Sequence, residues 1–228
     1  MQINQKIDQI LLDINNASWK QHYSDYHQKY LTHCISNVTI DGLWLEFGVY
    51  RGRSINFISS LTNNKVYGFD SFEGLHEHWD NQNPRGVYSL DGSIPEGAID
   101  GDNGENPGMY DSSPTKKTKP WNSNVVLVKG YFEQTLPEFT KKHNQPVAFM
   151  NIDSDLYSSC KTVLEELKSQ IVDGTIICFD EICDYDNFRE HEIKAFAEFL
   201  LETGYSYDVI AYQPSTYSQG CFKIKTKK

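Results

Sequence analysis

"LWLEFGVYRGRS" (residues 43–54) joins an apolar run, a glycine turn and the start of a periodic segment, in that order. A strand that passes through such a turn into a helix aims backbone N–H groups at a ligand beyond the sheet. Nucleotide cofactors are held this way, and the glycine spacing separates their classes. A pyrophosphate needs GxGxxG, whose second glycine lets the backbone approach the phosphates. Here Tyr50 stands at the second glycine position and Arg53 at the third, so the turn is wrong for a dinucleotide.

The turn reads instead as ExGxxxG, from Glu46 to Gly52. That spacing suits S-adenosylmethionine, which carries a carboxylate and an amino group but no phosphate. The backbone at Gly48, Tyr50 and Gly52, with the Ser54 hydroxyl, would hold the carboxylate. Glu46 would face the amino group or the sulfonium region. Asp70, followed by Ser71, closes the next strand and is placed for the ribose hydroxyls. Gly130 and Tyr131 offer room and an aromatic wall for adenine. Helix capping or a surface ion pair is the plainer role for Glu46 and Asp70, and ordinary packing for Tyr131.

Around this turn, strands and helices alternate. Ile3, Ile7, Ile10, Leu11 and Ile14 recur at helical spacing, and an aromatic segment follows through Tyr23, Tyr26, Tyr30 and Leu31. Strands are expected at 43–47, 65–70, 124–130, 147–153 and 175–181, with a helix at 52–61. Leu156 to Ile171 reads as a helix ended by Asp173-Gly174, and Ile193 to Leu200 as one closed by Gly204. Strands 205–212 and 221–227 are joined by a connection too short for a helical crossover, so they pair antiparallel. Apolar strands alternating with helices imply a parallel sheet covered on both faces. The expected fold is therefore α/β: a Rossmann-like class I methyltransferase with a seven-stranded, mostly parallel sheet and a C-terminal antiparallel hairpin. Residues 1–228 read as one domain, with an N-terminal helical segment at 1–40.

With 31 acidic against 21 basic residues the formal charge is −10, which disfavours phosphate-backbone contact and hence a nucleic-acid substrate. The five cysteines form no CxxC pair, Cys178 reads as a small core residue, and a reduced cytoplasmic compartment is expected. No apolar run in the N-terminus is long enough for a membrane span or signal peptide.

Carboxylates collect at two further strand ends. "NIDSDLY" sets Asp153 and Asp155 after one strand, and "FDE" sets Asp180 and Glu181 after the next. Adjacent acids repel unless a cation sits among them, and hard oxygen donors select Mg²⁺, Mn²⁺ or Ca²⁺. Asp153, Asp180 and Glu181 are the expected ligands, and Asp153 also the general base that accepts an acceptor hydroxyl's proton. Asp155 reads as the N-cap of the following helix. His76 and His78 lack a third partner and are not expected to bind metal.

"LEFGVYRGRSINFIS", "VYGFDSFEGL", "KGYFEQTLPEF", "NIDSDLYSSCKTVLEEL" and "GTIICFDE" together resemble the macrocin O-methyltransferase family, in register from Leu43 to Phe199. The resemblance implies a class I fold, S-adenosylmethionine as donor and Mg²⁺-assisted methylation of sugar hydroxyls. It places the family's metal-binding acids on Asp153, Asp180 and Glu181, the last being glutamate where the family usually has aspartate.

Residues 71–124, rich in Gly, Asn, Asp and Pro, break the rhythm of the chain. Their composition resists a packed core of their own, and their place after a strand end suggests a lid over the substrate. Tyr88, Tyr110 and Trp121 within them would suit a sugar or an aromatic diol. The expected partner is thus a small-molecule or glycan acceptor, with no nucleic acid and no membrane; a homo-oligomer is left open. A catechol-type methyltransferase and a non-catalytic cofactor-binding module are the competing functions.

Overall fold

The computed structural model describes residues 2–21, 27–99 and 118–227. Tyr23, Tyr26 and Tyr110 lie outside the described residues, as does the stretch 100–117 of the expected lid. Two helices open the chain, α1 (Ile3–Asn15) and α2 (His27–Ser36). The order then runs β1 (Leu43–Phe47), α3 (Arg53–Ser60), β2 (Val66–Asp70), β3 (Ala98–Ile99), β4 (Thr118–Lys119) and β5 (Val125–Lys129). It continues with α4 (Phe132–Lys142), β6 (Val147–Ile152), α5 (Tyr157–Glu166), β7 (Ile176–Cys183), α6 (Glu192–Thr203), β8 (Ser206–Gln213) and β9 (Ser218–Lys225).

The main sheet has seven strands in the order β5-β2-β1-β6-β7-β9-β8. All run parallel except β9, which pairs antiparallel with both β7 and β8. β1 and β6 are buried along their whole length, as central strands covered on both faces must be. One core layer packs Ile7, Ile10, Ile14, Leu136, Val163 and Phe196 on one face of the sheet. The other face is closed by Tyr30, Leu31 and Cys34 of α2 with Ile55 and Ile58 of α3. The chain leaves β1 toward β2 on one side and returns as β6 on the other, so their carboxyl ends form the topological switch point where α/β sheets bind ligands.

Three local readings change. Helix α4 fills a stretch to which no element had been assigned: Phe132, Leu136 and Phe139 turn to the core at helical spacing, with Pro137 inside the helix. Helix α5 ends at Glu166 instead of Asp173, although Leu167 and Ile171 stay buried in the turns beyond. The described part of 71–124 also packs more than its composition suggests. Leu75 and Trp79 are buried against Leu156, with Tyr185 and Tyr217 beside them. Asp80 accepts N–H groups from Gln82 and Asn83 and a hydroxyl from Tyr217, tying the segment to the hairpin connection. β3 and β4 form a separate antiparallel pair. Among the described residues no helix is long and apolar enough to cross a membrane.

Candidate functional site

The glycine turn works as a rigid corner at the switch point. Gly48 has φ 91°, and a Cβ there would stand 1.7 Å from the Asp153 carbonyl oxygen, so only glycine lets β1 and β6 end this close together. Asp153 N–H donates to the Phe47 carbonyl at 2.8 Å, tying the two strand ends. Tyr50 has φ 46°, costly for a bulky side chain. Asp70 holds it there: Oδ2 accepts the Val49 and Tyr50 N–H groups at 2.8 and 2.7 Å, and Oδ1 accepts Phe72 N–H at 2.6 Å. Two N–H groups of the turn are therefore spent on Asp70. A carboxylate has about four acceptor positions, so one remains for a ligand.

A cavity of about 290 Å³ opens at this edge. Gly48, Tyr50, Asp70, Ser71, Gly130 and Tyr131 line one part of it, and Asp153, Asp155, Asp180 and Glu181 another. These ten come from the ends of β1, β2, β5 and β6 and from the carboxyl half of β7. Three expected cofactor residues stand back from it. Glu46 is wholly buried and accepts Asn151 Nδ2 at 3.1 Å, with the Ser54 hydroxyl beside it. Gly52 starts α3 in a left-handed conformation and packs directly on the Trp121 ring. Burial pushes the Glu46 carboxyl up to about 8, so it is protonated at neutral pH in this arrangement.

The acids do gather, though not in the set expected. Asp153, Asp155 and Glu181 each offer an oxygen within 4.8 Å of the other two. Asp155 is not a helix cap: Leu156 occupies the cap position, and Asp155, at φ 61°, turns inward and is buried. A short polar residue tolerates this left-handed backbone, and no helical N–H holds its carboxylate. Asp180 lines the same cavity but is taken by Gln219 Nε2, with His27 Nδ1 at 3.4 Å. Asp180 and Glu181 lie where the β7–β9 register shifts, an irregularity of the kind that re-aims side chains beside active sites.

Electrostatics marks this cluster as unfinished. Burial, then the charges of Asp180 and Asp155, holds the Asp153 carboxyl well above the usual range. Burial, then Asp180, raises Asp155 to about 8, and the same causes raise Glu181 well above its ordinary value. Glu181 Oε2 is buried without a partner. Glu192, fully buried at the start of α6, accepts Ser154 N–H and Oγ–H at 3.3 Å and leaves its own Oε2 unpaired. Such a hard-oxygen set fits Mg²⁺, Mn²⁺ or Ca²⁺. Sequence reading missed Glu192, because an acid in a first helical turn looks like dipole compensation. Tyr88, expected on the acceptor side, does line the cavity, and so does His76, which had been weighed only as a metal ligand. Trp121 sits outside, donating Nε1–H to the Pro95 carbonyl at 3.1 Å.

A family model described as a methyltransferase domain matches residues 45–182. Among solved structures, the chain is similar to the calicheamicin methyltransferase CalS11, at 18% identity over 96% of this chain and 91% of that one, with a TM-score of 0.64. An apo structure of CalS11, named there a TDP-rhamnose 3'-O-methyltransferase of calicheamicin biosynthesis, aligns at 20% identity over 86% and 78%, with a TM-score of 0.55. The O-methyltransferase NovP aligns at 18% identity over 88% and 79%, with a TM-score of 0.58. None of the curated proteins compared matches the sequence. At these identities the structural likenesses establish the fold, which is the Rossmann-like class I methyltransferase fold.

Proposed function

The chain belongs to the methyltransferase domain family, and from that premise we propose that it moves a methyl group from S-adenosylmethionine to a hydroxyl of a sugar or polyol. The observation that carries this reading is one cavity walled by the glycine turn and Asp70 on one side and by Asp153, Asp155 and Glu181 on the other. A cofactor site and an acceptor site would then share the edge of the sheet. The resemblance to macrocin O-methyltransferases and the description of CalS11 as a TDP-rhamnose 3'-O-methyltransferase favour a sugar hydroxyl within glycosylated natural products or glycans, and the O-methyltransferase NovP favours a hydroxyl acceptor.

S-adenosylmethionine would supply an electrophilic methyl, and a divalent cation held by Asp153, Asp155 and Glu181, with Asp180 at its edge, would supply Lewis acidity toward the acceptor hydroxyl. Gly48 and Tyr50 keep the cofactor's end of the cavity open, and Asp70 offers its remaining acceptor position to the ribose. Tyr131 walls the adenine end. Asp153 would take the proton that the acceptor hydroxyl loses on methylation. Tyr88 and His76 border the acceptor's side, where a ring can stack on a sugar face.

The test is transfer of a labelled methyl from S-adenosylmethionine to a panel of free and nucleotide-linked sugars, with catechols beside them. Label in a sugar, lost on chelation by EDTA and restored by Mg²⁺ or Mn²⁺, is expected. Label in catechols alone would replace the acceptor class. Full sugar methylation after exhaustive chelation would remove the metal.

A further inference from the structure

A second convergence of ligand atoms lies two residues before Asp180 along its strand, among residues that do not line the cavity. Cys34 of α2, Cys178 of β7 and Cys221 of β9 are far apart in sequence and fully buried. Their sulfurs lie within 4.8 Å of one another, and none is in a disulfide. Cys178 and Cys221 stand directly opposite each other across the antiparallel β7–β9 pair, and Cys34 comes down on them from the helix above. The Tyr30 hydroxyl, one helical turn before Cys34, is fully buried and faces all three thiols, with only sulfurs near enough to bond it among the described residues.

Ordinary core packing explains one buried cysteine but gives no reason for three sulfurs and a buried phenol to meet at a point. We propose that Cys34, Cys178 and Cys221 form a binding site for a thiophilic d10 cation, Zn²⁺ or Cu⁺, that staples α2 to β7 and β9 behind the acidic site. Thiolates select such ions over the hard cations that the carboxylates would take, so the two sites do not compete.

The geometry needs little adjustment. Metal–sulfur bonds of about 2.3 Å in a tetrahedral site keep sulfurs about 3.8 Å apart, so the widest pair would close by about 1 Å at most. Three thiols would each give up a proton on binding, and the Tyr30 hydroxyl would then donate to a thiolate sulfur or complete the coordination. Two places along the same strand faces, Gln219 on β9 holds Asp180 on β7, and His27 of α2 meets both. A cation fixing α2 to this strand pair would therefore also fix the elements that orient Asp180.

The site is buried, so the test refolds the reduced full-length chain anaerobically with one equivalent of Co²⁺, then displaces it with Zn²⁺ or, separately, Cu⁺. Thiolate-to-cobalt charge-transfer absorption at one metal per chain is expected, together with a higher unfolding temperature than the metal-free chain. Cys34→Ser and Cys178→Ser should each lose at least about tenfold in affinity, the scale on which even supporting groups matter at metal sites. Cys160→Ser, outside the cluster, should keep the band. Absence of the band in the folded wild-type chain, or its persistence in Cys34→Ser, would overturn the proposal. So would a Cys178–Cys221 disulfide, seen as two missing thiols in the unfolded chain, forming in place of metal binding. Carboxylates give no such absorption, so the acidic cluster cannot mimic a positive result.

Discussion

The Asp70 carboxylate, at the end of β2, accepts the backbone N–H of Tyr50, in the turn after β1, at 2.7 Å. One side chain thus both braces a strained turn and borders the cavity. Asp70→Asn keeps the size but replaces one acceptor oxygen by an N–H₂ donor facing backbone donors. The expected loss is about 1–3 kcal/mol of stability, the range for leaving such groups unpaired. S-adenosylhomocysteine affinity should fall with it, since the turn loses its shape. Denaturant unfolding and calorimetry on the same preparation check both; unchanged stability would show that the turn holds itself.

Gly48 stands against the Asp153 carbonyl, and Gly48→Ala should separate two strand ends. Alanine at φ 91° costs about 1–2 kcal/mol for its left-handed backbone alone, before the contact with Asp153 is relieved. Cofactor binding should be lost in a chain that still shows the native far-ultraviolet circular dichroism. Retained affinity would mean that the turn does not shape the cofactor site.

Much of this was legible in the sequence. The turn, the strand ends and Asp70 follow from period and spacing, and the hairpin from the short connection before Ser218. The site was legible only as far as the acids' chain order. Which of them converge depends on the positive φ of Asp155 and on the register shift in β7, and neither leaves a mark in a single sequence. Glu192 and the Gln219–His27 hold on Asp180 come from elements distant in the chain. Helix α4, left unassigned in the sequence, contains Pro137 and is stabilised by burial of Leu136 and Phe139 regardless of propensity.

Asp155 gives a direct test of that correction. Asp155→Asn should weaken Mg²⁺ or Mn²⁺ binding by at least about tenfold while leaving S-adenosylhomocysteine affinity nearly intact. Asp180→Asn, whose carboxylate is already engaged by Gln219, should have the smaller effect on metal. The reverse order, measured by metal titration, would return the site to Asp153, Asp180 and Glu181.

Stability should depend on pH in an unusual direction. Glu46 and Asp155 release their protons near pH 4 when unfolded but hold them to about 8 when folded. Between those limits the folded chain binds more protons than the unfolded one, so stability falls as pH rises through the window. In EDTA the unfolding temperature should therefore be higher at pH 5 than at pH 8. A divalent cation at pH 8 should recover part of the loss, because it stabilises the ionised carboxylates that protons otherwise neutralise. An unfolding temperature that rises from pH 5 to 8 in EDTA would contradict the buried, protonated acids.

The glycine turn should select S-adenosylmethionine over a dinucleotide, a preference measured by calorimetry with S-adenosylhomocysteine and NAD⁺ in parallel. Saturable binding of S-adenosylhomocysteine at one per chain, weakened in Asp70→Ala by about 1–3 kcal/mol, with no heat from NAD⁺, is the expected result. Tight NAD⁺ binding with no response to S-adenosylhomocysteine would contradict it.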